Sequence, residues 1–378
     1  MRREHCTVCG AGGLAPILTT PPYPVYQGCV AFAPGPDERA AMDWASCSAC
    51  GSAQIVTLPP LARIYQAGHA TGLGAAWARH HAAFAGFVKA HAAGAIVDVG
   101  GGSGTLAAAY RRAGGDAAYT ILEPHALRSP ELPADIRVID GFLDGASLAD
   151  ANSVVMSHVL EHVTDLRAAL ATLTEAQDCA HVIVAWPDLD KWLAKGMAGA
   201  LNFEHGIYVG VARLAAVFAQ FGWTLEARVV WEENDTVFLA FVRGSAGAAV
   251  APPATGRART AIAAYYAGFR ARARALNAAL AGHDGDAFLM PASVYAQALI
   301  AEGLDAARFK ALLDNAAVKQ YRRLSGTNLL VAAPEMTLPG ARHPLVVLNG
   351  GAHEGEIAAR LRARRADVMI LRSDATPL

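Results

Sequence analysis

The chain has 378 residues, a length that predicts two or three domains. Its 32 lysines and arginines against 33 aspartates and glutamates leave a formal net charge of −1, which excludes a polybasic nucleic-acid or membrane surface as the dominant feature. A hydrophobic fraction of 53% excludes a disordered chain, no apolar run reaches the ~20 residues of a membrane span, and the charges of Arg2, Arg3 and Glu4 lead into no apolar stretch of a signal peptide, so a cytoplasmic location is expected.

Two close cysteine pairs come first, Cys6 with Cys9 and Cys47 with Cys50. Gly10 and Gly51 follow them and let the backbone turn so that both thiolates of a pair face one point. Four such sulfurs make a complete tetrahedral shell for structural zinc, with no position open for catalysis. In a cytosolic chain paired cysteines of this spacing hold metal more often than disulfides. Cys29 and Cys179 stand apart and read as small buried hydrophobes.

A strand-like run at 54–58 ends at Pro59 and Pro60, and 61–93 reads as a helix carrying Tyr65, His69, Trp77, His80 and His81. From residue 94 strand and helix alternate: a strand at 95–99, a helix at 104–113, a strand at 119–122, then strands at 153–156, 180–184, 223–227 and 237–241. That order predicts an α/β fold with a mostly parallel sheet covered on both faces. The small residues and prolines of 245–258 read as a linker. A helix over 259–281 leads into a smaller α/β unit with strands at 309–313, 345–349 and 368–371. The expected domains are 1–60 (zinc-binding), 61–244 and 259–378.

Where the first strand becomes a helix the chain reads Val97-Asp98-Val99-Gly100-Gly101-Gly102-Ser103-Gly104. Gly100, Gly102 and Gly104 allow a tight turn and close approach of a ligand to the backbone at a helix N-terminus. Such a loop serves several adenosine cofactors. Asp98 ahead of it suits an ammonium group and repels a pyrophosphate, while Glu123 after the second strand suits two ribose hydroxyls. Asp140 and Phe142 after the next strand are placed to border an adenine. S-adenosylmethionine is therefore favoured over a nicotinamide dinucleotide. Two histidine sources lie beside this crevice: His158 and His162 with Glu161 between them, and Glu204-His205.

The two knuckles, the 97–104 loop, Ser157-His158-Val159-Leu160-Glu161-His162-Val163, Asn202-Phe203-Glu204-His205, and the Asp314, Asn315, Lys319 and Gln320 pattern together resemble the S-adenosylmethionine-dependent sugar C-methyltransferases over nearly the whole chain. The resemblance implies a class I methyltransferase Rossmann-like sheet, a small N-terminal zinc-binding domain and a C-terminal Rossmann-like α/β domain. It implies a nucleotide-linked keto-deoxysugar as substrate, His158 in the cofactor cleft, His205 as the base next to the keto group, and Glu204 polarising the site. Neither nucleic acid nor membrane is an expected partner, and monomer and dimer both stay open. The family's tyrosine and histidine fall on Asn202 and Phe203 here, with Tyr208 as a later source of a hydroxyl. The family's glycine-rich strand–loop falls on 288–295, which has no glycine. Arg322, Arg323 and the arginines of 360–365 suit either a phosphate or a solvated face. An O- or N-methyltransferase of another small metabolite, and a non-catalytic cofactor-binding or assembly protein, are the alternatives.

Overall fold

The computed structural model describes the chain outside residues 34–36, 66–74, 125–128, 130, 144–147, 149 and 245–255. His69 and most of the expected linker lie outside the described residues. The helical stretch expected over 61–93 consists of a short helix, Leu61–Ile64, and a long one, Ala75–His91.

A seven-stranded sheet forms the centre. In spatial order its strands are Trp223–Trp231, Thr236–Arg243, His181–Pro187, Ser153–Ser157, Ile96–Val99, Tyr119–Leu122 and Arg137–Ile139. The last five run parallel, Thr236–Arg243 runs antiparallel to His181–Pro187, and Trp223–Trp231 closes the edge as a hairpin. Side-chain alternation divides each central strand between two cores. Ile96, Ile121, Val155 and Ile183 pack with Phe84 and Leu106 on one face. Val99, Leu122, Val154 and Val184 pack with Leu170 and Leu214 on the other. Both faces are thus dry, which is why these segments read as continuous apolar runs. Strand order reverses beside Ile96–Val99, whose neighbours are Tyr119–Leu122 and Ser153–Ser157. A crevice opens beyond the carboxyl ends of strands at such a reversal.

The N-terminal sheet is antiparallel, built from Leu14–Thr19, Asp43–Cys47 and Ala53–Ile55. Its fourth strand, Ile207–Tyr208, comes from the central region, with Ile207 opposite Gln54 and Tyr208 opposite Ala53. Residues 1–60 therefore do not complete their own sheet. Nor do they own a separate core: Val8, Met42, Trp44 and Ile55 share one buried cluster with Phe203, Tyr266 and Phe269, and Trp44 Nε1 donates to the Tyr266 hydroxyl at 2.9 Å.

After helix Arg257–Ala281, a five-stranded parallel sheet takes the order Val331–Ala332, Phe309–Leu313, Ala287–Met290, Leu345–Leu348 and Met369–Arg372. The 314–320 pattern folds into a cross-braced loop at the carboxyl end of its strand. Lys319 Nζ donates to Asp314 Oδ2 and to the Ala292 carbonyl, both at 2.9 Å, and Gln320 Nε2 donates to the Asp314 carbonyl at 3.0 Å. Arg323 belongs to neither a phosphate site nor a solvated face. It is buried in an ion pair with Asp37 and pins the N-terminal segment to the C-terminal unit. Among the described residues no helix is long and apolar enough to cross a membrane.

Candidate active site

The loop after Ile96–Val99 is held open by backbone that only glycine adopts easily. Gly100, Gly102 and Gly104 have φ of +69°, +55° and +85°. A Cβ on Gly100 would stand 2.5 Å from Val159 Cγ2, and one on Gly104 2.4 Å from Leu132 Cδ1. The Gly102 amide donates to Glu123 Oε2 at 3.1 Å, so the acid expected at the ribose sits at the loop itself. Asp140 is exposed, and Phe142 is 60% exposed, a flat apolar ring beside the crevice.

Asp98 lies deeper than its position before the loop suggests. It is fully buried beneath Gly101, where a Cβ would come 2.7 Å from its Oδ2. The Tyr119 hydroxyl donates to Oδ2 at 2.9 Å, and Oδ1 has no hydrogen-bond partner among the described residues. Burial, with the nearby charge of Glu123 adding to it, lifts the carboxyl to about 7 against the hydrogen bond from Tyr119. A cationic group near Oδ1 would satisfy this orphaned oxygen.

Beyond strand Ser153–Ser157 the chain turns sharply at His158, φ +55°, and enters the short 3-10 helix Leu160–His162. His158 is fully engaged: Nδ1 lies 3.0 Å from Glu161 Oε1 and Nε2 3.1 Å from Thr236 Oγ1. Its ring meets Trp77 edge-on at 5.3 Å and stacks on Trp192 at 6.0 Å. His80 is completely buried between Ser157 Oγ and Asn234 Nδ2. Burial pushes His80 down to about 2 and His81 to about 4, so both are neutral wall residues.

The second histidine source converges on the first. Asn202 Oδ1 accepts from the amides of Glu204 and His205, both at 2.8 Å, and so bends the chain into the tight turn that carries them. That oxygen is committed to the backbone, and only the Nδ2 of Asn202 can donate to a carbonyl. His205 Nε2 lies 3.1 Å from His162 Nε2, with the two rings nearly perpendicular at 80°. On the far side of His162, Nδ1 is 3.2 Å from the Tyr65 hydroxyl and 3.9 Å from Glu204 Oε2. Burial lowers the His205 pKa although Glu161 and Glu204 pull it upward. Its Nδ1 is buried and bonded to no other side chain among the described residues. Tyr208 does not join this group, because its hydroxyl bonds Asp190 Oδ1.

Sequence reasoning named His205, Glu204 and the 158–162 pair separately; it did not find that His162 faces His205. Trp192, Asn234 and Thr236 were missed altogether, since each comes from a different segment and none stands in a recognisable pattern.

The four knuckle sulfurs converge as well. Cys6 Sγ and Cys50 Sγ are 3.7 Å apart, Cys9 Sγ and Cys47 Sγ 3.6 Å, and all four lie within 4.8 Å of one another. A tetrahedral ion with bonds of ~2.3 Å spaces its sulfurs by about 3.8 Å. Left-handed Gly10 and Gly51, at φ +80° and +73°, close the two turns, their amides donating to the Cys6 and Cys47 carbonyls.

A family model described as a methyltransferase domain matches residues 39–228, half of the chain. Among solved structures the chain is similar to the magnesium protoporphyrin IX methyltransferase of Synechocystis PCC 6803 with bound SAH, at 13% identity over 46% of this chain and 90% of that one, TM-score 0.35. It is similar to the mitomycin 7-O-methyltransferase at 21% identity over 44% and 54% of the respective chains, TM-score 0.34. A possible histamine N-methyltransferase from Thermotoga maritima is 13% identical over 44% and 90%, TM-score 0.35. No curated protein matches the chain in sequence.

Proposed function

Given that the chain belongs to the methyltransferase-domain family, we propose that this S-adenosylmethionine-dependent methyltransferase transfers its methyl group to the carbon next to the keto group of a nucleotide-linked deoxysugar. Its central sheet is the class I methyltransferase sheet. The bound cofactor supplies an electrophilic methyl group. The backbone of Gly100, Gly102 and Gly104 would cradle it, Glu123 would take the ribose hydroxyls, Asp98 Oδ1 the ammonium group, and Asp140 and Phe142 the adenine edge. His158 and its two tryptophans would form the wall between cofactor and acceptor.

The observation that carries the reading is the line Glu204, His162, His205. The Glu204 carboxylate and the Tyr65 oxygen beside His162 Nδ1 favour the proton on that nitrogen. His162 Nε2 then accepts the hydrogen bond from His205 Nε2–H. That leaves the lone pair of His205 on Nδ1, the buried nitrogen that no other side chain satisfies, with the Gly199 carbonyl at the ring favouring the protonated form it becomes. A neutral imidazole held in one tautomer, shielded from water, is a competent acceptor for a proton acidified by a neighbouring carbonyl. The positive charge it gains is spread through His162 toward Glu204.

The rest of the proposal is structural. Zinc would sit among Cys6, Cys9, Cys47 and Cys50 and hold the N-terminal segment together. The 259–378 unit would lie against the nucleotide part of the substrate. A hydroxyl acceptor is the second reading, favoured because the Tyr208 hydroxyl is committed to Asp190 and does not polarise a keto oxygen. Incubation of the enzyme with a keto-deoxysugar nucleotide in deuterated water decides. Exchange of the α-proton that His205→Ala abolishes supports carbon methylation. Methyl transfer without exchange, or exchange unchanged in His205→Ala, overturns it.

A further inference from the structure

We infer that Glu161, His162 and His205 form a binding site for one first-row divalent cation, distinct from the four-cysteine cluster and independent of which acceptor the enzyme methylates. One ligand atom from each of the three residues lies within 4.8 Å of the others. Two imidazole nitrogens bound to the same ion at ~2.0–2.1 Å stand about 2.8–3.4 Å apart, octahedral at the short end and tetrahedral at the long. The Nε2 atoms of His162 and His205 are 3.1 Å apart.

Glu161 supplies the third ligand. Its side chain is 1% exposed, and one oxygen is held by His158 while the other, Oε2, is buried with no hydrogen-bond partner among the described residues. No lysine or arginine pairs with it among those residues, and a buried carboxylate with an unmatched oxygen is costly unless a cation meets it. The surroundings are those that orient metal ligands. His162 has the Tyr65 hydroxyl and the Glu204 carboxylate behind its Nδ1, and the Glu161 carboxylate is fixed by His158. Two imidazoles and one carboxylate suit Zn2+, Fe2+, Co2+ or Ni2+ better than Mg2+ or Ca2+, and three protein ligands leave positions for oxygen atoms of water or of a bound ligand.

Occupancy has a chemical consequence. An ion bound at His205 Nε2 takes that lone pair and moves the ring proton to Nδ1, so the ring stops being a proton acceptor. On the base reading proposed above, which this consequence rests on, the ion and the base function exclude each other and free Zn2+ inhibits.

Co2+ titrated into the full-length protein, purified with its cysteine site filled by zinc and free of substrate, tests the assignment. We expect one Co2+ per chain with the weak d–d absorption of a nitrogen–oxygen site and without sulfur-to-cobalt charge transfer. Glu161→Gln and, at a half-exposed position, His162→Asn are each expected to weaken this binding at least tenfold while the circular dichroism melt stays cooperative. Absence of the nitrogen–oxygen bands, a cobalt spectrum of thiolate type alone, or binding unchanged in both variants overturns the site. Because no sugar substrate or methyl transfer enters the measurement, its outcome is separate from that of the proposed reaction.

Discussion

Arg3 reaches across 203 positions to the turn that carries His205: its Nη1 donates to the Gly206 carbonyl at 3.0 Å and to the Ile55 carbonyl at 3.1 Å. Nη2 bonds the Thr164 carbonyl, two residues beyond His162. One guanidinium thus ties the N-terminal segment to both loops that bring the histidines together. Burial, which lowers its pKa to about 10, is offset by these three carbonyls and by the charge of Asp165.

Arg3→Ala removes all three bonds, although the Gly206 carbonyl keeps the one it accepts from the Ile55 amide at 3.0 Å. Unfolding free energy is expected to fall by about 1–3 kcal/mol. Hydrogen exchange should quicken at residues 204–208, and methyl-transfer rate should drop more than cofactor affinity does. Denaturant melts and isothermal titration with S-adenosylmethionine measure the two effects.

The zinc proposed for the cysteine cluster acts on the same turn by another route. Cys47 ends the strand Asp43–Cys47, which pairs with Ala53–Ile55, which pairs in turn with Ile207–Tyr208. Elemental analysis should find one zinc per chain in the wild type and none after Cys47→Ser, which should also loosen residues 1–60. The substitution should lower activity through the 204–208 segment, with the central sheet intact by circular dichroism. A variant that keeps full activity without metal would show that the strand pairing holds by itself.

The central sheet was readable because its strands are short apolar runs separated by helical periods, and Gly100 to Gly104 mark the turn where the crevice opens. The knuckles were equally plain, since spacing alone sets the geometry of two thiolates. What stayed hidden is what depends on distant pairing. Nothing local in Ile207 and Tyr208 says that they complete a sheet begun at Leu14, and nothing in Asn202 says that its oxygen takes two backbone amides. Arg323 suited either a phosphate or a solvated face because its partner, Asp37, lies almost 300 residues earlier. His162 facing His205 is of the same kind: two turns on different loops, with no sequence signal for their meeting.

Acid should destabilise the fold through its neutral histidines. In the unfolded chain His80 and His81 bind protons as pH falls through ~6.5. In the folded chain they do so only near about 2 and about 4. Both folded values are depressed, so the stability contribution is full above ~6.5 and is lost as pH falls toward those lower values. Between pH 7 and 5 the completely buried His80 alone accounts for at most about 2 kcal/mol. Urea melts at the two pH values should show a smaller difference for His80→Asn than for the wild type.

The base reading of His205 fixes a second pH profile. Burial depresses its pKa, so the unprotonated ring persists through neutrality and the acidic limb of α-proton exchange lies below ~6.5. The charge of Glu204 works in the opposite direction. Glu204→Gln should move the limb further toward acid, as well as reducing the maximal rate. A limb that moves toward neutral pH in this variant would contradict the assignment of His205 as the titrating group.

Cofactor binding separates the roles of Glu123 and Gly104. Glu123 Oε2 accepts from the Gly102 amide, so the carboxylate both braces the loop and stands where ribose hydroxyls would approach. Glu123→Gln keeps the shape and an acceptor oxygen but loses the charge, and should weaken S-adenosylmethionine binding roughly tenfold, the scale of a charge-assisted hydrogen bond. Gly104→Ala acts differently. Its φ of +85° and a Cβ only 2.4 Å from Leu132 Cδ1 force the loop to shift or Leu132 to move. It should therefore cost about 1–2 kcal/mol of stability as well as affinity. Calorimetric titration alongside thermal melts distinguishes the two: Glu123→Gln lowers affinity with the melt little changed, whereas Gly104→Ala lowers both. Equal loss of stability in Glu123→Gln would mean that the acid serves the loop rather than the ligand.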